Sequence, residues 1–240
     1  MAIGTNAYWQ FDENRARAGY KSAWLVKEAG ADKYSLVGLT NTVPYPFGDN
    51  ETFDVNILQG KGIGKIEGKM SYEATDVPVY HHRDNAYRFM KMQGKVLDFM
   101  SINGEFVGYK FSGTLKYKPD SAEASESMAT VTVTPLAGSD TPVLDARNEV
   151  IENLCLANVI PETIKVGGEV DFSVKQADVS SLTFKVVKIA SGTNVETDAT
   201  LTTDYTIEGN EITFKSTGLM AITISADGYA SWTTTVYVEA

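Results

Sequence analysis

One cysteine, Cys155, and two adjacent histidines, His81 and His82, are all that 240 residues supply of these types. A lone cysteine excludes an intrachain disulfide framework and a cysteine-rich zinc site. Two histidines leave almost no raw material for histidine-based catalysis. Long apolar runs are missing too: the longest fall far below the roughly 20 residues a membrane helix needs. The opening residues, Met1-Ala2-Ile3-Gly4-Thr5-Asn6, lack the basic and apolar regions of a signal peptide, so synthesis and folding in the cytosol are expected. Positive charge is also scarce, with 21 Lys and Arg against 31 Asp and Glu, a balance of −10. Nucleic-acid binders need a basic stripe to displace counterions, and this balance repels phosphate instead.

The composition is otherwise globular. Hydrophobic residues make up 43% and charged residues 22%, which excludes the disordered classes. The length accommodates two domains. Residues 161–240 hold fourteen threonines, no arginine and a single proline, Pro161, with five lysines against eleven acids. All five arginines lie in residues 1–160. This shift predicts two domains, 1–160 and 161–240, with the seam at Val159-Ile160-Pro161-Glu162, where proline interrupts whatever precedes it.

The second domain reads as strand throughout. Val170, Phe172 and Val174 alternate with polar neighbours, as do Leu182, Phe184 and Val186. The same period of two recurs at Tyr205/Ile207, Ile212/Phe214, Met220/Ile222/Ile224 and Trp232/Thr234/Val236/Val238. Glu208-Gly209-Asn210-Glu211, Ala226-Asp227-Gly228 and Ser191-Gly192-Thr193-Asn194 supply turns. About seven short strands in so short a span fit an Ig-like β-sandwich. Tyr229, just past a turn, is either a corner anchor through its hydroxyl or an ordinary half-buried tyrosine.

The first domain is mainly β with one helix. Strands are expected over Ser22–Lys27, Lys33–Thr40 and Thr52–Gln59, then a long extended stretch from Ile63 to Thr75. A helix opens at His82 or Asp84 and runs to Gln93, with Ala86, Phe89, Met90 and Gln93 on one face and Gly94 as its C-terminal cap. Asn103-Gly104 between two alternating runs, Leu97–Ile102 and Glu105–Phe111, predicts a two-residue type I′ hairpin. A further strand covers Thr114–Lys118, the acidic loop Asp120–Glu126 follows, and Met128–Pro135 returns as the last strand. Val143–Ile160 suits either a helix or an extended arm.

Candidate chemistry is thin. Gly60-Lys61-Gly62-Ile63-Gly64-Lys65 lacks the Lys-Ser/Thr ending of a phosphate loop and the third glycine of a dinucleotide fingerprint, so a bulged strand start is the better reading. His81 and His82 would point to opposite faces of a strand, and with Asp84 they leave a metal short of ligands, so exposed histidines at a helix entry are expected. Glu123 and Glu126 sit in a loop polar on every side, without the setting that separates carboxylate pKa values. Cys155 lies on an apolar segment and reads as a small core hydrophobe. Asn50-Glu51-Thr52 matches a glycosylation acceptor, which carries no meaning without secretion. No catalytic, cofactor or metal site is expected, and the chain does not read as an enzyme. What stands out is Pro44-Tyr45-Pro46-Phe47, two prolines interleaved with two aromatics in a connection between strands. Solvated loops are polar, so these four residues either pack on their own domain or dock on another chain, and docking is the preferred expectation.

The order of pieces in residues 1–160 resembles the major tail tube proteins of long, non-contractile tailed bacteriophages. The resemblance rests on Tyr34-Ser35-Leu36-Val37-Gly38-Leu39-Thr40, the proline–glycine loop, Glu51-Thr52-Phe53-Asp54-Val55, the long strand and the single helix. It continues through Gly94-Lys95-Val96-Leu97-Asp98-Phe99, the Asn103-Gly104 hairpin and Met128-Ala129-Thr130-Val131-Thr132-Val133-Thr134-Pro135. Residues 161–240 resemble the bacterial Ig-like modules carried as C-terminal appendages by such proteins. The type VI secretion tube protein is similar in fold, but as a single domain it leaves residues 161–240 unexplained.

The resemblance implies a mainly β fold: a tail-tube β-sandwich or barrel domain with one helix, then an Ig-like sandwich. It implies six copies closing into rings that stack into a tube, with Pro44, Tyr45, Pro46 and Phe47 as candidate ring-to-ring contacts. Implied partners are further copies of the chain and the tape-measure, tail-terminator and tail-tip proteins. DNA would pass through the lumen without specific binding, and no membrane is involved. The Ig-like domain would decorate the outside, making weak contacts with cell-surface glycans. The implied place is the virion tail, assembled in the host bacterial cytoplasm. The competing reading is a cell-surface adhesin or carbohydrate-binding protein of two β-domains.

Overall fold

Side chains on a strand alternate between faces, so a run with every second residue apolar buries one face of a sheet. That rule governs most of this chain. A computed structural model describes residues 22–28, 30–37, 43–44, 50–56, 63–70, 72–80, 82–103, 106–119 and 128–240, which are mainly β with one helix. Within these residues the chain divides into two units between Val150 and Ile151.

The first unit contains β1 (Ala23–Lys27), β2 (Ser35–Leu36), β3 (Asn50–Asn56), β4 (Ile63–Met70), β5 (Thr75–Tyr80) and α1 (Arg83–Met92). It continues with β6 (Val96–Ile102), β7 (Gly108–Pro119), β8 (Met128–Pro135) and β9 (Thr141–Val143). One sheet runs β2-β1-β6-β7-β8-β5, with β9 paired to the first residues of β7, while β3 and β4 form a separate antiparallel pair. Odd-numbered residues of β5 to β8 fill the core: Leu97, Phe99, Phe111, Leu115, Tyr117, Val131, Val133, Val77 and Val79 are buried, joined by Trp24 and Val26 of β1. Aromatic rings dominate it, with Phe99 5.7 Å from Trp24 and 5.4 Å from Phe111 between centroids. Such offset contacts add to the burial of large apolar area.

Helix α1 covers this core through Phe89 and Met92, with Ala86 packed beside them. Met90 is exposed, contrary to the expected stripe, because it stands about 100° around the helix from Phe89. His82 is the N-cap, its Nδ1 accepting from the Asp84 amide at 3.3 Å, and Gly94 takes the positive φ of 79° just past the end.

The β6–β7 hairpin is present, but not as a two-residue turn. Ile102 pairs with Gly108, the Phe106 amide donates to the Asn103 carbonyl, and Phe106 sits at φ 64°. Register explains the difference. A turn centred on Asn103-Gly104 pairs Phe99 with Gly108 and turns Phe111, Leu115 and Tyr117 away from the face that holds Phe99. The longer turn pairs Phe99 with Phe111, so both aromatics enter one core. The expected break between Phe111 and Thr114 is likewise absent, since β7 is continuous. Gly113 marks a close approach there: a Cβ would lie 2.7 Å from the Thr134 carbonyl oxygen of β8.

The second unit contains β10 (Thr163–Lys165), β11 (Glu169–Asp171), β12 (Thr183–Ile189), β13 (Glu196–Asp198), β14 (Tyr205–Glu208), β15 (Glu211–Phe214), β16 (Gly218–Ser225) and β17 (Trp232–Glu239). They form a five-stranded sheet, β10-β17-β16-β12-β13, and a three-stranded sheet, β11-β15-β14. Val186, Met220, Ile222, Ile224, Val236 and Val238 of the first meet Val170, Tyr205, Ile212 and Phe214 of the second in one buried cluster.

Composition changes at Pro161, but packing changes earlier. Val143–Ile160 forms no helix. It runs extended with turns, bridging Val150 to Tyr34 in the first unit. Beyond the division it bridges Asn153 to Ala230 and Leu156 to Val174 in the second. Leu154 is fully buried in the second core, and the Ala157 amide donates to the Ser173 carbonyl at 2.7 Å. Residues 151–160 therefore pack with the second unit rather than the first, which moves the expected seam from Pro161 to Ile151.

Candidate assembly surfaces

Of the proline–aromatic loop, Pro44 lies within the described residues, and it is buried. Its carbonyl accepts from the Ser101 hydroxyl, itself fully buried on β6, and Val43 packs against the first core. The loop therefore enters anchored on its own unit. Tyr45, Pro46 and Phe47 lie outside the described residues, as do His81, Gly60–Gly62 and the acidic loop with Glu123 and Glu126.

The remaining candidates have structural work. His82 caps α1, and Asn50-Glu51-Thr52 begins β3. Cys155 is half-buried, its amide donating to Gln176 Oε1 at 3.1 Å. Tyr229 anchors a long-range link, its hydroxyl donating to Asp178 Oδ1 at 2.8 Å. Among the described residues no three His, Cys, Asp or Glu side chains converge as metal ligands.

Charged groups at one end of the first sheet are mostly paired. Lys27 lies 3.9 Å from Asp98 and Lys95 lies 3.4 Å from Glu28, while Lys110 is bonded to Glu149. Tyr34 sits among them, its hydroxyl pushed up to about 12 by burial and then by the charges of Asp98 and Glu149. Burial draws the Arg88 guanidinium on α1 down to about 10, against the opposing pull of Glu28.

The other end of the same sheet is different. Even-numbered residues of β5 to β8 face away from the core and form rows across the strands: Lys118–Thr130–Pro78, Lys116–Thr132–Asp76 and Val96–Thr114–Thr134. Lys116, Lys118, Thr134, Asp76 and Val96 are exposed, and Thr132 donates to Asp76 at 2.7 Å. Lys116 and Lys118 have no carboxylate partner among the described residues. Alternation with Leu115 and Tyr117 was the signal in the sequence that places both lysines on one open face.

The outer face of the three-stranded sheet carries the opposite sign. Asp171 pairs with Glu211 and Glu211 with Glu208, so three acids stand in one row, with Glu169 one row away beside Thr213. Gly209, at φ 61°, makes the two-residue turn that sets Glu208 opposite Glu211. Asp171 is held below its ordinary range by hydrogen bonds from Ser173, hydroxyl and amide, and more weakly from Asn158. Glu169, Glu208 and Glu211 are exposed, with no basic partner among the described residues.

No protein-family model matches the chain, and no curated protein sequence matches it significantly.

Proposed function

We propose that this chain is a structural virion protein that polymerises as stacked hexameric rings into the tail tube of a long-tailed bacteriophage, a conduit for DNA. The observation that carries the reading is the order of elements in the first unit. A short antiparallel start leads through the proline–aromatic loop to the β3–β4 pair, then β5, the single helix and the long β6–β7–β8 meander. Closing rings edge to edge would satisfy the outer edges of β2 and β5, which pair with no further strand among the described residues. The second unit, a threonine-rich two-sheet module, suits an outward decoration with weak glycan contacts, and the site of assembly is the host bacterial cytoplasm. Beyond the buried Pro44, the rest of the proline–aromatic loop, Tyr45 to Phe47, is the candidate contact between stacked rings. Negative-stain electron microscopy of the concentrated full-length protein tests this: sixfold rings and tubes are expected. Monodisperse particles under all assembly conditions, together with glycan-array binding, would favour the adhesin reading.

A further inference from the structure

We propose that the open lysine–threonine face of the first sheet, centred on Lys116 and Lys118, docks on the acidic outer face of the β11-β15-β14 sheet of a second copy of this chain. The inference does not rest on the tube reading.

The argument is charge complementarity between two flat sheet faces. Among the described residues neither Lys116 nor Lys118 forms an ion pair, and Asp76, the acid in the row of Lys116, accepts from Thr132 instead. Lys27, Lys95 and Lys110 in the same unit each lie against an acid. Lys116 and Lys118, two residues apart on one strand, project together from a face that also carries Thr114, Thr130, Thr132, Thr134, Pro78, Val96 and Asp76. Threonine is stiff at χ1, so the surface around the two lysines is ordered at little entropic cost when covered.

The acidic face has the matching defect. Glu208 directly opposite Glu211 is a like-charge cross-strand pair, which is unfavourable in isolation, and Asp171 extends the row. Cations supplied by a neighbour relieve that repulsion. Residues 161–240 carry eleven acids and five lysines, so the second unit as a whole attracts a basic face. Such a contact is small and screened by salt.

The test mixes 15N-labelled and unlabelled full-length protein at low ionic strength with a zero-length carbodiimide crosslinker, followed by mass spectrometry. Mixed-isotope peptides joining Lys116 or Lys118 to Glu208, Glu211 or Glu169 are expected, lost in high salt. Links found only within one isotope, or none at these residues, overturn the proposal. Charge exchange provides the second arm, read as self-association by analytical ultracentrifugation. Lys116→Glu with Lys118→Glu weakens association about tenfold or more, and adding Glu208→Lys with Glu211→Lys restores it. Failure of the exchange to restore association overturns the assignment. Tubes seen by microscopy without these crosslinks would sink this contact and leave the tube reading standing. Crosslinks without tubes would do the reverse.

Discussion

Lys188 Nζ lies 2.7 Å from Asp204 Oδ1, tying the C-terminal end of β12 to the turn that precedes β14. Asp204 also accepts from the Thr200 amide at 2.8 Å, while its own carbonyl accepts from the Lys215 amide at 2.8 Å. One buried carboxylate thus organises the turn that precedes β14. The Lys188 hydrogen bond, then the Thr200 amide, hold the Asp204 carboxyl down to about 2.

Asp204→Ala is therefore expected to destabilise the second unit by about 2–4 kcal/mol at neutral pH, since it removes charge-assisted bonds and strands Lys188. Because the folded pKa is depressed, this stabilisation is complete above the unfolded carboxyl value near 4 and is lost as pH falls toward about 2. Urea denaturation of both proteins at pH 7 and at pH 2.5 checks it. A gap that stays constant between the two conditions would mean that the carboxylate's charge is not what stabilises the turn.

A second expectation follows from the fully buried Leu154. Leu154→Ala should cost about 2–5 kcal/mol, the range for a buried leucine whose cavity relaxes incompletely. Hydrogen exchange on the full-length protein would show faster exchange in β16 and β17 while β6 and β7 keep their protection. Loss of protection in β6 and β7 instead would return residues 151–160 to the first unit.

How much of this was legible in the sequence depends on whether a feature is local. The α1 cap at His82, Gly94 at the helix end and the span of β8 follow from near-neighbour chemistry, and each stands where the residues indicated. The Asn103 hairpin does not. Its register is decided by which face Phe111 and Tyr117 must share with Phe99, a long-range condition that a two-residue turn motif ignores. Gly113 reads as a strand break until β8 is placed beside it. The seam depends on the same kind of condition: Pro161 marks a change of composition, whereas Leu156 bridges Val174 and the Leu154 amide donates to the Ala230 carbonyl, contacts that the local sequence does not display. The two charged faces were readable from period-two alternation, but their meaning depended on which acids lie near Lys116 and Lys118 in space.

A third prediction concerns the loop that begins at Pro44. Its entry is held by the Ser101 hydroxyl, so removing aromatic side chains further along leaves that anchor intact. Tyr45→Ala with Phe47→Ala is expected to leave the unfolding midpoint unchanged and abolish tube elongation. Losing a hot-spot aromatic costs at least about 2 kcal/mol, or about 30-fold in affinity for each contact. Thermal unfolding and electron microscopy of the double variant check the two halves separately. Unchanged tubes would place the ring-to-ring contact elsewhere.

The last prediction is that the protein does not bind double-stranded DNA measurably, although the proposed assembly conducts it. A conduit works only if its wall fails to hold its cargo, because weak attractions repeated ring after ring sum to arrest. Binding requires basic groups free to displace counterions, and on the strands of the first sheet Lys27 and Lys110 are already paired with carboxylates. Lys116 and Lys118 are the exception. Two phosphate contacts give a log–log salt slope of no more than about 2, too few ions released to overcome a chain of net charge −10. A fluorescence-anisotropy titration at low ionic strength, where any attraction is exaggerated, is expected to show no micromolar binding. Salt-sensitive micromolar binding would defeat the conduit argument. Its loss in the Lys116→Glu, Lys118→Glu variant would then assign those two lysines to phosphate.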